Sequence, residues 1–229
     1  MNGGWWSALP WRVALRDPGL RLLLAAVLVA VAALSTVAFF ADRVERALVL
    51  QGAALMAGDL VVEQGDLIPD AWLAEATSRG LQAARTVTFP SVIIANERPV
   101  LVQVKAVEGA YPLRGRLRID TPAGEVGRAP AAGEAWLEDR LRSRLGATIG
   151  ATAIGLGEVR LSAAGIVIDE PDRGGNLFQL APRLMVSYAD ALASGLLGPA
   201  SRVKYRFLVA GDQQQLRAMR AWLSTRLKA

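Results

Sequence analysis

The spacing of apolar and polar positions changes character along the chain. From Leu22 to Ala41 it has no polar beat: LLLAAVLVAVAALSTVAFFA is twenty residues without a charge. A helix of that length, at ~1.5 Å per residue, reaches about 30 Å, the thickness of a bilayer's hydrocarbon core. A soluble helix of similar length keeps a polar face, and this stretch offers none. It predicts a transmembrane helix over 22–41. A helical beat then sets in, with Val44, Leu48, Gln51 and Leu55 on one stripe among Asp42, Arg43, Glu45 and Arg46. Asp42 and Arg46 are one turn apart and can pair. The helix is therefore expected to continue as a stalk over 42–57, closed by Gly58 in the left-handed conformation and followed by Asp59.

Beyond 58 the pattern alternates between strand and helix signals, the mark of an α+β body over 58–229. Leu60-Val61-Val62 is a short strand. Pro69 to Arg79 reads as a helix, opened by proline and closed by Gly80. Arg85 to Val107 reads as two strands joined at Ala95-Asn96-Glu97-Arg98. In the second, Val100, Val102, Val104 and Ala106 face one way, and Gln103 and Lys105 the other. Tyr111-Pro112-Leu113 and Thr121 to Gly133 form a loop region rich in proline and glycine, a subdomain boundary. Glu134 to Leu145 reads as a charged helix stopped by Gly146. A glycine-punctuated segment, Gly150 to Gly157, leads to a strand from Glu158 to Ile168. Asp169 to Gly175, DEPDRGG, is a polar turn. Leu184 to Tyr188 is a strand, with Asp190 capping a short helix. Arg202 to Ala210 sets Val203, Tyr205, Phe207 and Val209 against Arg202, Lys204 and Arg206. Asp212 and Gln215 resemble a capping box that opens a last helix striped with Leu216, Met219, Leu223 and Leu227.

Upstream of the apolar stretch, Trp5, Trp6 and Trp11 interleave with Arg12 and Arg16. Indoles favour the headgroup level, so residues 1–21 are expected to form a cytoplasmic interfacial elbow, turned into the span by Asp17-Pro18-Gly19. Arg12, Arg16 and Arg21 precede the span and Arg43 and Arg46 follow it, which favours an inside N-terminus by three against two. A cleaved signal peptide fits poorly: the apolar run is too long, and Phe39-Phe40 stands where small residues are needed.

Composition narrows the function. The chain has 229 residues, 52% of them hydrophobic, with a mean hydropathy of +0.29. The elbow carries a net +2 of the total +5, leaving +3 scattered from Asp42 onward. That excludes a nucleic-acid footprint. With no cysteine and no histidine there is no disulfide, no thiolate site and no imidazole base. No Gly-x4-Gly-Lys-Ser/Thr loop occurs; Gly150 to Gly157 and Gly174-Gly175 lack the lysine. Asp169, Glu170 and Asp172 beside Arg173 are the one acidic cluster for a divalent cation, against the plainer reading of a solvated loop. Ser201 and Lys204 suggest a Ser–Lys pair, but alternate strand positions put them on opposite faces. The chain thus reads as non-enzymatic, with no catalytic, cofactor or metal residue.

Three stretches carry a resemblance. They are RLLLAAVLVAVAAL after Ala14-Leu15-Arg16-Asp17, VQVKAVEGAYPLRG over 102–115, and the run from Gly133 to Gly175. Together they resemble the FtsX-like, MacB-type permeases of ABC transporters, most closely the YbbP-like branch, over nearly the whole chain. The resemblance implies an inner-membrane location, with the N-terminus cytoplasmic and the stalk leading into a MacB-like periplasmic domain with a smaller β-rich insert near 126–171. It also implies a separate cytoplasmic P-loop ATPase as partner and no cofactor. ATP-driven motion would pass through the stalk, for lipid-like or hydrophobic cargo, with an envelope hydrolase as a further partner. Family permeases continue into further spans, so this chain is expected to be the N-terminal portion of one, or a split gene product. The alternative is a stand-alone membrane-anchored binding or assembly module; a tethered hydrolase lacks a nucleophile and base.

Overall fold

The computed structural model describes residues 18–173, 181–198 and 203–227, and the side chains of 45–51 lie outside the description. Two compact units divide the chain between Leu50 and Gln51. The N-terminal elbow, with Trp5, Trp6, Trp11, Arg12, Arg16 and Asp17, falls outside the described residues.

The first unit is built on α1, Pro18–Met56, a helix of 39 residues whose last turn belongs to the second unit. Pro18 and Gly19, expected in a turn, lie in its first turn instead. Proline fits there because its φ is already helical and a first-turn N–H has no partner to lose. Pro18–Val44 is long and apolar enough to cross a membrane, and none of its apolar window is buried. Leu22, Leu28, Leu34, Phe39 and Phe40 stand exposed around it. The Thr36 hydroxyl donates to the Ala32 carbonyl at 2.7 Å, so its proton is satisfied within the helix.

The second unit holds ten strands and four further helices among the described residues. In chain order they are β1 Leu60–Gln64, α2 Asp70–Ser78, β2 Gln82–Ala95, β3 Arg98–Val107, β4 Arg118–Thr121, β5 Gly124–Val126, β6 Glu134–Glu138, α3 Asp139–Leu145, β7 Ala153–Leu156, β8 Val159–Asp169, β9 Arg183–Ser187, α4 Tyr188–Ala193, β10 Lys204–Ala210 and α5 Gln213–Arg226. All ten strands join one sheet in the order β1-β10-β2-β3-β9-β6-β8-β4-β5, with β7 beside both β2 and β8. The pairings β2-β3-β9-β6-β8-β7 therefore close into a ring, completed by the single bridge Ile94–Gly155. β3 and β9 run parallel, as do β6 and β8, and the other pairs are antiparallel. Residues 126–171 supply β6, β7 and β8 to this same sheet, with α3 between β6 and β7 in sequence.

The β2–β3 hairpin turns at Asn96 and Glu97, both with positive φ, the two-residue geometry that matches strand twist. Pro90 sits mid-strand yet breaks no ladder on β2's outer side. β10 pairs with Gln82–Thr88 and β7 only at Ile94, so Pro90 falls in the gap between them.

Each face of the sheet carries a buried apolar cluster. One cluster joins Phe89, Ile93, Val102, Val104, Leu137, Leu184 and Phe207 to α2, α3 and α5. Trp72 of α2 meets Phe207 edge-on at 5.6 Å and Trp222 of α5 at 6.4 Å. The other cluster holds Ala57, Val107, Tyr111, Trp136, Met185 and Leu208.

Double-sided burial explains one departure from the sequence pattern. Glu134 to Leu145, expected as a single helix, is strand β6 followed by helix α3. In β6, Ala135 and Leu137 enter the first cluster and Trp136 the second, so the strand has no solvent side to show an alternation. Gly146 does close the helix, with φ +59°. A second departure concerns α4. Its cap is Ser187, which accepts from the Asp190 N–H at 3.0 Å. Asp190 sits three residues in; its carboxylate accepts from the Ser187 hydroxyl at 2.6 Å and from the Gly133 N–H at 2.9 Å.

Candidate coupling site at the end of the long helix

The last turn of α1 ends by tying itself to the body. The Gly58 N–H donates to the Ala53 carbonyl at 3.1 Å and the Ala57 N–H to Ala54 at 3.3 Å, the paired bonds of a Schellman closure. The left-handed residue is Ala57, φ +58°, not Gly58 as the sequence suggests. A methyl in that conformation costs about 1–2 kcal/mol. Here the methyl is fully buried in the second cluster, which offsets the strain with packing. The Ala57 carbonyl then accepts two N–H groups from the 108–117 loop, Leu113 at 3.1 Å and Arg114 at 3.2 Å.

Asp59 continues the join. Its N–H donates to the Val209 carbonyl at 2.9 Å. Its carboxylate accepts from Arg114 Nε and Nη2, at 3.0 and 2.6 Å, and from the Gly211 N–H at 3.0 Å. A bidentate arginine pair fixes angle as well as distance. β1 starts one residue later and pairs with β10 over five residues. From the last turn of α1 to β1 the Ala57, Gly58 and Asp59 N–H groups are thus all hydrogen-bonded.

Behind the join lies a buried charge cluster. Lys105, on the face of β3 opposite Val104 and Ala106, has a side chain only 3% exposed. Its ammonium donates to Glu170 Oε1 at 2.5 Å, to Tyr111 Oη at 2.7 Å, and to Asp172. The Tyr111 hydroxyl donates to Asp172 in turn. Arg183 Nε stands 3.5 Å from Glu170 Oε2, and Arg206 3.7 Å from Asp172 Oδ2. Next door, Glu138 accepts from Arg140 at 2.5 Å, from the Arg183 N–H at 2.8 Å, and pairs with Arg173 at 2.7 Å. Burial pushes the Asp172 carboxyl up, but Lys105, the Tyr111 hydroxyl and Arg206 outweigh it and hold it below its ordinary value of 3.8. Burial, then the Asp172 and Glu170 carboxylates, drive the Tyr111 hydroxyl well above its usual range, so it stays a donor. Glu138 is raised by burial and lowered further by Arg140, the Arg183 N–H and Arg173, for a net depression.

Two acids of the turn read from the sequence, Glu170 and Asp172, do not face solvent. Glu170 and Asp172 are buried on Lys105, and a resident ammonium occupies the place a metal would need. Among the described residues no group of three acidic side chains is placed to hold a metal. Asp169 is exposed, and Gly174-Gly175 lie outside the described residues. Lys204 bonds Glu63 at 3.0 Å on the surface; Ser201 lies outside the described residues. Sequence reasoning placed Lys105 on the correct face but missed its role. The available signals were a lone lysine in a valine-rich strand and two acids flanking a proline.

No protein-family model matches the sequence. The chain is 39% identical over 213 residues to YbbP, an ABC transporter permease of Escherichia coli (strain K12), covering 93% of this chain and 26% of that protein. Two solved structures are similar in outline. The periplasmic region of MacB from Actinobacillus actinomycetemcomitans gives a TM-score of 0.46 at 10% identity, covering 67% of this chain and 72% of that one. The extracellular domain of YknZ from Gram-positive bacteria gives 0.47 at 10% identity, covering 68% and 79%. Along nearly its whole length the chain belongs to the YbbP-like ABC transporter permeases, as a segment spanning about a quarter of the relative it matches.

Proposed function

We propose that this chain is the part of a permease that carries motion from a membrane span into an outside body. A separate cytoplasmic P-loop ATPase supplies the energy, and the span, N-terminus inside, brings the movement out to a periplasmic domain of the inner membrane. The cargo is lipid-like or hydrophobic, and a periplasmic hydrolase is a further partner. The chain itself performs no catalysis in this reading. The observation that carries it is the closed join at Ala57 and Asp59: a helix hydrogen-bonded into a sheet can transmit displacement, where a flexible linker would absorb it.

The test uses the complete permease with its ATPase in nanodiscs. Spin labels on the outside body report distance with and without ATP. An ATP-driven distance change is expected, and inserting Gly-Ser-Gly between Met56 and Ala57 is expected to abolish it while ATP hydrolysis continues. A parent that shows no movement, or an insertion that keeps it, removes the proposal. Topology is checked separately: protease should digest the body in spheroplasts and spare it in inverted vesicles sealed the other way.

One observation favours the second reading, a membrane-anchored binding or assembly module. Val92, Ile94 and Leu101 are 53%, 59% and 57% exposed on one outer face of the β2–β3 hairpin, with Val92 and Leu101 directly opposed across the strands. Capture of an envelope protein that is lost in Val92→Asp/Leu101→Asp, in a chain showing no ATP-linked movement, would support that reading.

A further inference from the structure

Lys105 grips both flanks of Pro171. Its ammonium bonds Glu170 on one side of the proline and Asp172 on the other, and Tyr111 takes the third proton. An ammonium has three donors, and all three are used. With both neighbours held, the proline cannot slide along the sheet face.

Pro171 in turn rests on Gly115. A Cβ at Gly115 would stand 2.6 Å from the Pro171 Cβ and 3.0 Å from the Ala54 carbonyl oxygen, and Gly115 has φ +80°. The glycine backbone is therefore pressed between the proline and the last turn of α1. The two residues before it, Leu113 and Arg114, hold the Ala57 carbonyl through their N–H groups.

We infer that Lys105 is the positioning residue of the helix exit. It fixes the 170–173 turn, the turn fixes Gly115, and Gly115 keeps the Leu113 and Arg114 amides on Ala57. Its functional meaning rests on the coupling reading above; the mechanical chain of contacts does not. Lys105 touches neither α1 nor the 113–115 backbone; it acts through Pro171 and through the Tyr111 hydroxyl, which belongs to the same 108–117 loop.

Hydrogen exchange on the full chain in nanodiscs tests it. In Lys105→Met the amides of Gly58, Leu113 and Arg114 are expected to exchange about ten-fold faster, with the β7–β8 ladder changed by less than about two-fold. Pro171→Gly keeps the ionic cluster and removes the ring, and is expected to speed the same three amides. An unchanged rate at these amides in either variant overturns the inference, as does equal acceleration of the β7–β8 ladder in Lys105→Met, which marks a general loss of stability. If Lys105→Met does not fold, Pro171→Gly decides alone. In the complete permease the ATP-driven spin-label movement should fall with Lys105→Met. Faster exchange with undiminished movement would keep the clamp and remove the coupling reading.

Discussion

On one face of the sheet, Phe89, Ile93, Leu137 and Phe207 pack in an apolar cluster, with the Arg85–Glu108 pair beside it over Tyr188. On the other, Trp136, Met185 and Leu208 share their space with Lys105, Glu170 and Asp172. The two faces are buried by different physics. Apolar packing is non-directional and tolerates small slides, so it supplies stability without fixing position sharply. A saturated ammonium with charged partners has one geometry in which its bonds are all made, and breaking it leaves an uncompensated charge. The polar face is also the one on which the helix ends. The difference indicates a division of labour, with the first face holding the domain together and the second holding the helix exit in register.

The largest effect should come from cutting the apolar face. Phe207→Ala removes a ring that touches Trp72 and leaves a cavity, for a loss of about 3–5 kcal/mol. Denaturant unfolding should show it as one cooperative shift, equal for probes on both faces. If the shift appeared only on the apolar side, the faces would be separate folding units.

Gly115→Ala comes next, at about 1–3 kcal/mol from overpacking against Pro171 and Ala54 plus left-handed strain. Its loss should concentrate at Gly58, Leu113 and Arg114 in hydrogen exchange. A uniform loss would erase the distinction drawn here.

Acid separates the faces in another way. The folded state depresses the Asp172 pKa, so the unfolded chain binds that proton more readily. The stabilisation is complete above the ordinary carboxylate value of 3.8 and drains away as pH falls through the lower folded value. Denaturation midpoints taken downward from pH 7 should drop below about pH 4, and Asp172→Asn should flatten that drop. Phe207→Ala should lower the curve without changing its shape.

The smaller effects bound the comparison. Ser187→Ala removes the cap of α4 and should cost about 1 kcal/mol in thermal unfolding. Arg118→Ala breaks an exposed pair with Glu125 and should lower the thermal midpoint by less than Ser187→Ala does, and by less still in salt. A larger value would mean that charge at the surface contributes as charge in the interior does.

Legibility from sequence followed the same divide. Where one side meets solvent the alternation shows: Val203, Tyr205 and Phe207 take every second place beside Lys204 and Arg206, before Leu208 and Ala210 of β10 turn buried side chains to the second cluster as well. The apolar span needed only its length. β6 was hidden because a strand covered on both sides loses its alternation, while Glu134, Glu138 and Asp139 around it imitate a charged helix. The charge cluster was hidden for a different reason. Lys105 and Glu170 are 65 residues apart, and no local pattern ties a lone strand lysine to acids in a distant turn. The helix end was half legible: the stop was visible in Gly58, but Ala57 took the left-handed role because its methyl had a place to pack.

β2 is the longest strand, fourteen residues or ~45 Å of extended backbone. Its first half is zipped to β10, beside the strand the long helix feeds, and its far end carries the exposed Val92 and Ile94. It works like a beam fastened at both ends, because the Ile94–Gly155 bridge ties its far end to β7. With β3 laced along it from Thr86 to Ala95, it cannot buckle midway without unlacing that ladder. A tilt imposed at one end would therefore be handed on through β7 to the other strands of the closed ring.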